Sequence, residues 1–153
     1  MSMTIFAGMN TTASALTAQR LRMDTISSNM ANVDTTRGKM VDGVWQPYTR
    51  KSVVMESKGG GFTSFLNQAM GKTDSPGSGV QVSRIEEDTQ TPYKMQYDPE
   101  NPDADAEGYV RLPNVDPLRE MVDLISATRS YEANVTVFNA NKSMLSKALE
   151  IGK

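Results

Sequence analysis

The stretch that most constrains this chain is its last, from Asn114 to Lys153. No proline or glycine interrupts it between Leu118 and Ile151. Asp116 is a residue type that caps free backbone N–H groups, and Pro117 suits a first helical position. The pattern predicts one long helix. At 1.5 Å per residue, Leu118 to Ile151 would measure roughly 51 Å, too long to be buried by the rest of a chain of 153 residues. Steps of three and four residues link Met121, Leu124, Tyr131, Val135, Phe138, Leu145 and Leu149, with Thr128 and Lys142 completing the series. Glu120, Asp123, Arg129, Glu132 and Lys147 fall between them, giving a narrow apolar stripe with a wet back. This is the spacing of a coiled-coil seam, and it also fits an ordinary long helix in a bundle.

A second helix is expected from Ser2 to Thr36. Met9, Leu16, Met23 and Met30 recur every seven residues, and Ile5, Thr12, Gln19 and Ile26 form the companion register. Gly8 and the Thr11, Thr12, Ser14 cluster weaken helix propensity, so the first ten or so residues are expected to order only beside a partner. The methionines suit neighbours of varied shape, or serve as plain filler. Asn, Ser, Asp and Thr between Asn29 and Asp34 compete for backbone hydrogen bonds and should fray the helix, which Gly38 ends.

The middle changes character. Val41 to Met55 reads as one or two short strands broken at Pro47. Gly59 to Gly61 form a flexible joint, Phe62 to Met70 one or two helical turns, and Gly71 to Gly79 a loop. Val80 to Ile85 alternates as a strand, with Pro92 to Tyr97 as its expected hairpin partner and Gly108 to Leu112 as another strand. The expected fold is mainly α with a small β-rich insert: an N-terminal helix over 1–36, the insert over 37–113 and a C-terminal helix over 114–153. The two helices are expected to pack as a coiled-coil-like pair.

Composition removes most chemistries. There is no histidine and no cysteine, so the usual zinc ligands, the commonest general base and the best nucleophile are missing. A net charge of -2, from 16 basic and 18 acidic residues, argues against a nucleic-acid surface. No stretch approaches 18 apolar residues, and Met1 to Asn10 lacks a signal-peptide pattern, so no membrane span and no cleaved signal are expected. Gly71-Lys72-Thr73 looks like the end of a phosphate-binding loop, but Leu66 stands where that loop needs glycine. Asp98, Glu100, Asp103, Asp105 and Glu107 crowd one segment. Pro99 and Pro102 break the calcium-loop pattern, which leaves a solvated acidic hairpin loop. The other carboxylates show no shared pocket, and no motif supports a hydrolase built on Ser and Lys. No enzyme activity, cofactor or metal is expected.

Both ends resemble one known family. Ser14-Ala15-Leu16-Thr17-Ala18-Gln19, Met23-Asp24 and Asn29-Met30-Ala31-Asn32-Val33-Asp34-Thr35 are similar to the N-terminal signature of the bacterial flagellar rod and hook proteins. Asn114-Val115-Asp116, Glu120-Met121-Val122-Asp123 and Ala127-Thr128-Arg129-Ser130-Tyr131-Glu132-Ala133-Asn134 resemble its C-terminal signature. Asp98-Pro99, Pro102-Asp103-Ala104-Asp105 and Gly108-Tyr109-Val110, running into Pro113-Asn114-Val115, look specific to a proximal-rod member. Ser28 and Arg37-Gly38-Lys39 depart from the pattern.

The resemblance implies a structural subunit of the flagellar basal body, exported unfolded by the flagellar type III apparatus and stacked helically into the hollow periplasmic rod. Terminal helices would line the tube and the insert would face outward. Expected partners are copies of the chain, other proximal and distal rod proteins, and the export-gate end of the basal body. The expected assembly interface comprises Met9, Leu16, Met23, Ile26 and Met30 on the first helix. On the second it comprises Met121, Leu124, Tyr131, Val135, Phe138, Leu145 and Leu149. The same two seams also fit a soluble helical-hairpin adapter or secretion chaperone that buries both within one monomer.

Overall fold

The computed structural model describes residues 2–58, 66, 69–70 and 79–151. Among the described residues, a long helix at either end brackets a set of short antiparallel ribbons. In chain order the elements are α1 (Ser2–Ala31), β1 (Lys39–Val41), β2 (Val44–Gln46), β3 (Lys51–Ser57), β4 (Val80–Glu87), β5 (Lys94–Tyr97), β6 (Tyr109–Leu112) and α2 (Pro117–Ile151). The chain forms two compact units, each drawing on both helices. One joins Arg22–Val53 to Ile85–Ser126; the other joins Met1–Leu21, Val54–Arg84 and Ala127–Lys153.

α1 runs from Ser2 through its polar cluster. Thr11, Thr12 and Thr17 donate their hydroxyls to the carbonyls of Ala7, Gly8 and Ala13 at 2.9 to 3.0 Å, and Ser14 donates to Thr11 at 2.7 Å. Their hydrogen bonding is thus satisfied within the helix. The helix stops at Ala31, short of the expected Thr36, because Asn32 donates its side-chain amide to the Ser28 carbonyl at 2.8 Å and the chain turns. α2 starts as expected: Asp116 Oδ1 accepts the Leu118 N–H at 3.1 Å, and 35 residues follow without a break, about 52 Å of helix.

Among the described residues between these helices the strands pair in three two-stranded sheets, β1 with β2, β3 with β4 and β5 with β6. The turn joining β1 to β2 is Asp42-Gly43, both in the left-handed region at φ 51° and 80°. That is the two-residue geometry matching the twist of a tight hairpin. Val41 to Met55 therefore holds three strands, β1 and β2 forming a hairpin in which Met40 lies opposite Trp45.

The expected hairpin of Val80–Ile85 with Pro92–Tyr97 does not form. β4 pairs with β3, and β5 pairs with β6 in the register Lys94 to Leu112 and Tyr97 to Tyr109. Asp88 redirects the chain after β4. Its Oδ1 accepts the N–H groups of Gln90 and Thr91 at 3.1 and 3.0 Å, and Asn114 holds the same turn through the Asp88 and Thr91 carbonyls. These bonds hold the Asp88 carboxyl below its ordinary pKa, the Thr91 N–H being the largest cause. Gly59–Gly61, Phe62–Met70 and Gly71–Gly79 fall outside the described residues, apart from Leu66, Ala69, Met70 and Gly79. The Gly71-Lys72-Thr73 motif lies there too.

In the unit holding Arg22–Val53 and Ile85–Ser126, Ile26, Val110, Pro113 and Val115 are buried. In the other unit Ala18 and Ala127 are buried, and Val80 donates its N–H to Ser14 Oγ at 3.1 Å, tying β4 to α1. The two helices run in opposite directions where they meet, Asn29 touching Glu120 and Arg22 touching Asp123.

Candidate functional site

A polar clamp joins the end of α1 to the start of α2. Glu120 is fully buried, with 0% of its surface exposed. This corrects the sequence expectation, which placed Glu120 on the wet back of the helix. Arg50 Nε donates to its Oε1 at 2.6 Å and Asn29 Nδ2 to its Oε2 at 2.9 Å. Asn29 uses its whole amide: Nδ2 also reaches the Lys51 carbonyl at 2.8 Å, while Oδ1 accepts from Lys51 N at 2.9 Å and from the Tyr48 hydroxyl at 3.0 Å. Asp123 receives both Arg50 and Arg22, at 3.4 and 3.5 Å. Asn114 Oδ1 accepts the Arg50 N–H at 2.8 Å, and Lys94 donates to the Val115 carbonyl at 2.8 Å.

A buried carboxylate is stable only when paired and hydrogen-bonded, and this one is both. Its role is to hold two helix ends and the strand entry at Arg50–Lys51 in one geometry. Nothing in the cluster is arranged for a reaction. Among the described residues no group of three or more His, Cys, Asp or Glu is placed to hold a metal ion.

The acidic segment joins β5 to β6, so the hairpin expectation holds, but two of its carboxylates have structural partners. Asp103 accepts from the Thr36 hydroxyl and from Arg37 Nε, each at 2.7 Å. Arg37 is the main cause that holds the Asp103 carboxyl below its usual range, with Thr36 second. Asp105 Oδ1 accepts the Glu107 and Tyr109 N–H groups at 3.0 and 2.9 Å, closing the loop.

The expected interface residues fall into two groups. Ile26 is buried, and Met9, Leu16, Met23, Met30, Leu124, Tyr131, Val135, Phe138 and Leu145 are half-buried. Met121 and Leu149 stand in solvent, 49% and 69% exposed. The sequence stripe missed a second set of apolar side chains on α2. Leu118, Val122 and Ile125 are exposed beside Met121, as are Val137, Met144 and Ile151 farther along. α2 is apolar on more than one face.

Comparison with known proteins bears on this arrangement. Residues 9–38 match the family model described as flagella basal body rod protein, and residues 106–151 match flagellar basal body rod FlgEFG protein C-terminal. The chain is 62% identical to the flagellar basal-body rod protein FlgC of Bacillus subtilis, over 99% of this chain and 100% of that protein. It belongs to the FlgC family of flagellar basal-body rod proteins. FlgC of Borreliella burgdorferi is 44% identical over 97% of this chain and 98% of its own length, and FlgC of Escherichia coli O6:H1 is 46% identical over 92% of each. The two stretches matched by family models contain Asn29, Asn114, Glu120 and Asp123, the FlgC-family chain's own clamp residues, whereas Arg50 lies between them.

Proposed function

We propose that this FlgC-family chain is a structural subunit of the flagellar basal-body rod, assembling into the hollow periplasmic drive shaft. Its partners are copies of itself, other proximal and distal rod proteins, and the export-gate end of the basal body. The observation that carries the reading is the distribution of apolar side chains on α2. Leu124, Tyr131, Val135 and Phe138 are half-buried while Leu118, Met121, Val122 and Ile125 are exposed, and a helix with one hidden side needs only one stripe. Full-length similarity to proteins named as rod components supports it further and disfavours a closed helical-hairpin adapter.

In this reading 1–36 and 114–153 form the axial core as a coiled-coil-like pair, and 37–113 is the β-rich insert. Met9, Leu16, Met23, Ile26 and Met30 meet neighbouring helices on one side, and Met121, Leu124, Tyr131, Val135, Phe138, Leu145 and Leu149 on the other. The work is mechanical, without catalysis or cofactor. Torque passes through many modest helix contacts whose sum resists shear, while the Glu120–Arg50–Asn29 clamp keeps each subunit's helix ends from shifting against its strands. A chain without cysteine has no disulfide to undo before passing unfolded through an export channel.

The test replaces Phe138 by Asp in cells lacking the wild-type chain. A carboxylate in an apolar contact forfeits roughly 1.5 to 3 kcal/mol of burial and adds a desolvation cost. The variant is expected to be made and exported, to be missing from purified basal bodies and to leave cells unable to swim. Normal swimming would remove the seam from the mechanism.

A further inference from the structure

One edge of the β5–β6 ribbon is open. All four residues of β5, Lys94–Tyr97, are exposed, Met95 at 53% and Tyr97 at 65%. Its register with β6 sets Tyr97 against Tyr109, and Asp98 continues it one step by donating its N–H to the Gly108 carbonyl at 2.9 Å. In an antiparallel pair, residues that exchange hydrogen bonds alternate with residues that do not. Lys94, Gln96 and Asp98 therefore turn their backbone groups toward β6, and Met95 and Tyr97 turn theirs away. Among the described residues no group hydrogen-bonds to those outward N–H and C=O groups. Such an edge is a template for another strand. Pro92 and Pro99, which lack an N–H, bound it on either side.

The edge is complementary to itself when reversed. An antiparallel copy centred on Gln96 places Met95 opposite Tyr97 of the second copy and Lys94 opposite its Asp98, and each pair occurs twice. Met95 and Tyr97 turn outward in the same phase, so their backbones can exchange four ladder hydrogen bonds. Each thioether then lies against a tyrosine ring already braced edge to face by Tyr109, 5.3 Å between ring centres. Lys94 and Asp98 supply opposite charges. The Lys94 ammonium donates to the neutral Val115 carbonyl at 2.8 Å, and neither it nor the Asp98 carboxylate has an ion-pair partner among the described residues.

We infer that the β5 edge pairs antiparallel with the β5 edge of a second copy of this chain, Gln96 meeting Gln96 on a twofold axis. The result is a four-stranded sheet in the order β6, β5, β5, β6. A twofold contact joins the same surface on both copies and closes, so it makes a dimer and does not extend. It is a property of the free chain and does not rest on the rod-subunit reading.

The chain has no native cysteine, so single substitutions report the register. In a non-hydrogen-bonded antiparallel pair the two Cα atoms lie about 4.5 Å apart, within the span of a disulfide. Purified Gln96→Cys, oxidised in dilute solution, is expected to run as a linked dimer on a non-reducing gel. Lys94→Cys would lie about 13 Å along the strand from the same position in the other copy. It is expected to stay single alone and to link when mixed with Asp98→Cys. Equal linking by Gln96→Cys and Lys94→Cys, or none by Gln96→Cys, would overturn the inference. Sedimentation of the unsubstituted chain supplies a second arm. A monomer–dimer equilibrium is expected, weakened about tenfold by Asp98→Lys and restored when Lys94→Glu is added, with the circular dichroism spectrum unchanged throughout. A chain monomeric at every concentration, or a dimer indifferent to Asp98→Lys, would equally overturn it.

Discussion

Glu120 keeps its charge out of solvent because Arg50 and Asn29 each take one of its oxygens. Glu120→Ala would leave Arg50, itself only 12% exposed in its side chain, with Asp123 at 3.4 Å as its remaining acidic partner. Breaking a buried pair by removing one member costs about 3–5 kcal/mol, and the surviving Asp123 contact places this loss toward the lower end. The urea midpoint should fall with an unchanged slope; an unmoved midpoint would show that the clamp adds no stability. Asp103 makes a different prediction. Arg37, then Thr36, depress its carboxyl pKa, so its stabilising contribution is complete above the unfolded value of about 3.9 and is lost as pH falls through the lower folded value. Carboxyl NMR should show a midpoint below about 3.9 that rises in Arg37→Ala, and a midpoint indifferent to Arg37 would refute the assignment.

At the scale of elements, the β1–β2 hairpin is seated by backbone contacts that leave no room for a side chain at Gly38. Gly38 donates to the Gln46 carbonyl at 2.8 Å and Tyr48 to the Thr35 carbonyl at 3.1 Å. A Cβ at Gly38 would lie 2.7 Å from Tyr48 N and 2.8 Å from its Cα, atoms that move only if the backbone does. Gly38→Ala should therefore displace the hairpin and destabilise the protein by about 1–3 kcal/mol, the usual range for overpacking. The single tryptophan reports the shift directly: Trp45 emission should change along with a lowered melting temperature. An unchanged spectrum and melting temperature would mean that the close approach relaxes at no cost.

Over the whole molecule, stability is unevenly distributed. Among the described residues, the buried apolar side chains Ile26, Val110, Pro113 and Val115 lie in the same unit as the clamp. The last turns of α2 end in Leu149 and Ile151, both exposed. Helices without a packed face open easily, since length and propensity alone hold them weakly. In the isolated chain, amide exchange should be slowest around Asn29 and across Val110 to Glu120, and fast from Leu145 onward. Protection of the α2 end equal to that at Glu120 would contradict this and would favour a self-contained monomer.

Much of the helical architecture was legible because helix signals are local. Asp116-Pro117 and the absence of proline or glycine through Ile151 determined where α2 begins and that it continues. Of the three-four stripe, Leu124, Tyr131, Val135 and Phe138 are half-buried, whereas Met121 and Leu149 are exposed. Asp42-Gly43 is likewise a local hairpin signal, and the strand expectation over Val41 to Met55 passes over it. Strand partnership was decided only in three dimensions, since alternation marks a strand without naming its neighbour; the Asp88 turn and Asn114 turned β5 toward β6. Glu120 was misplaced for the same reason. Its polarity assigns it to solvent until Arg50, 70 residues away in the chain, is brought within 2.6 Å. Capping and periodicity act between near neighbours, whereas neutralising a buried charge depends on groups that meet only when the chain has closed.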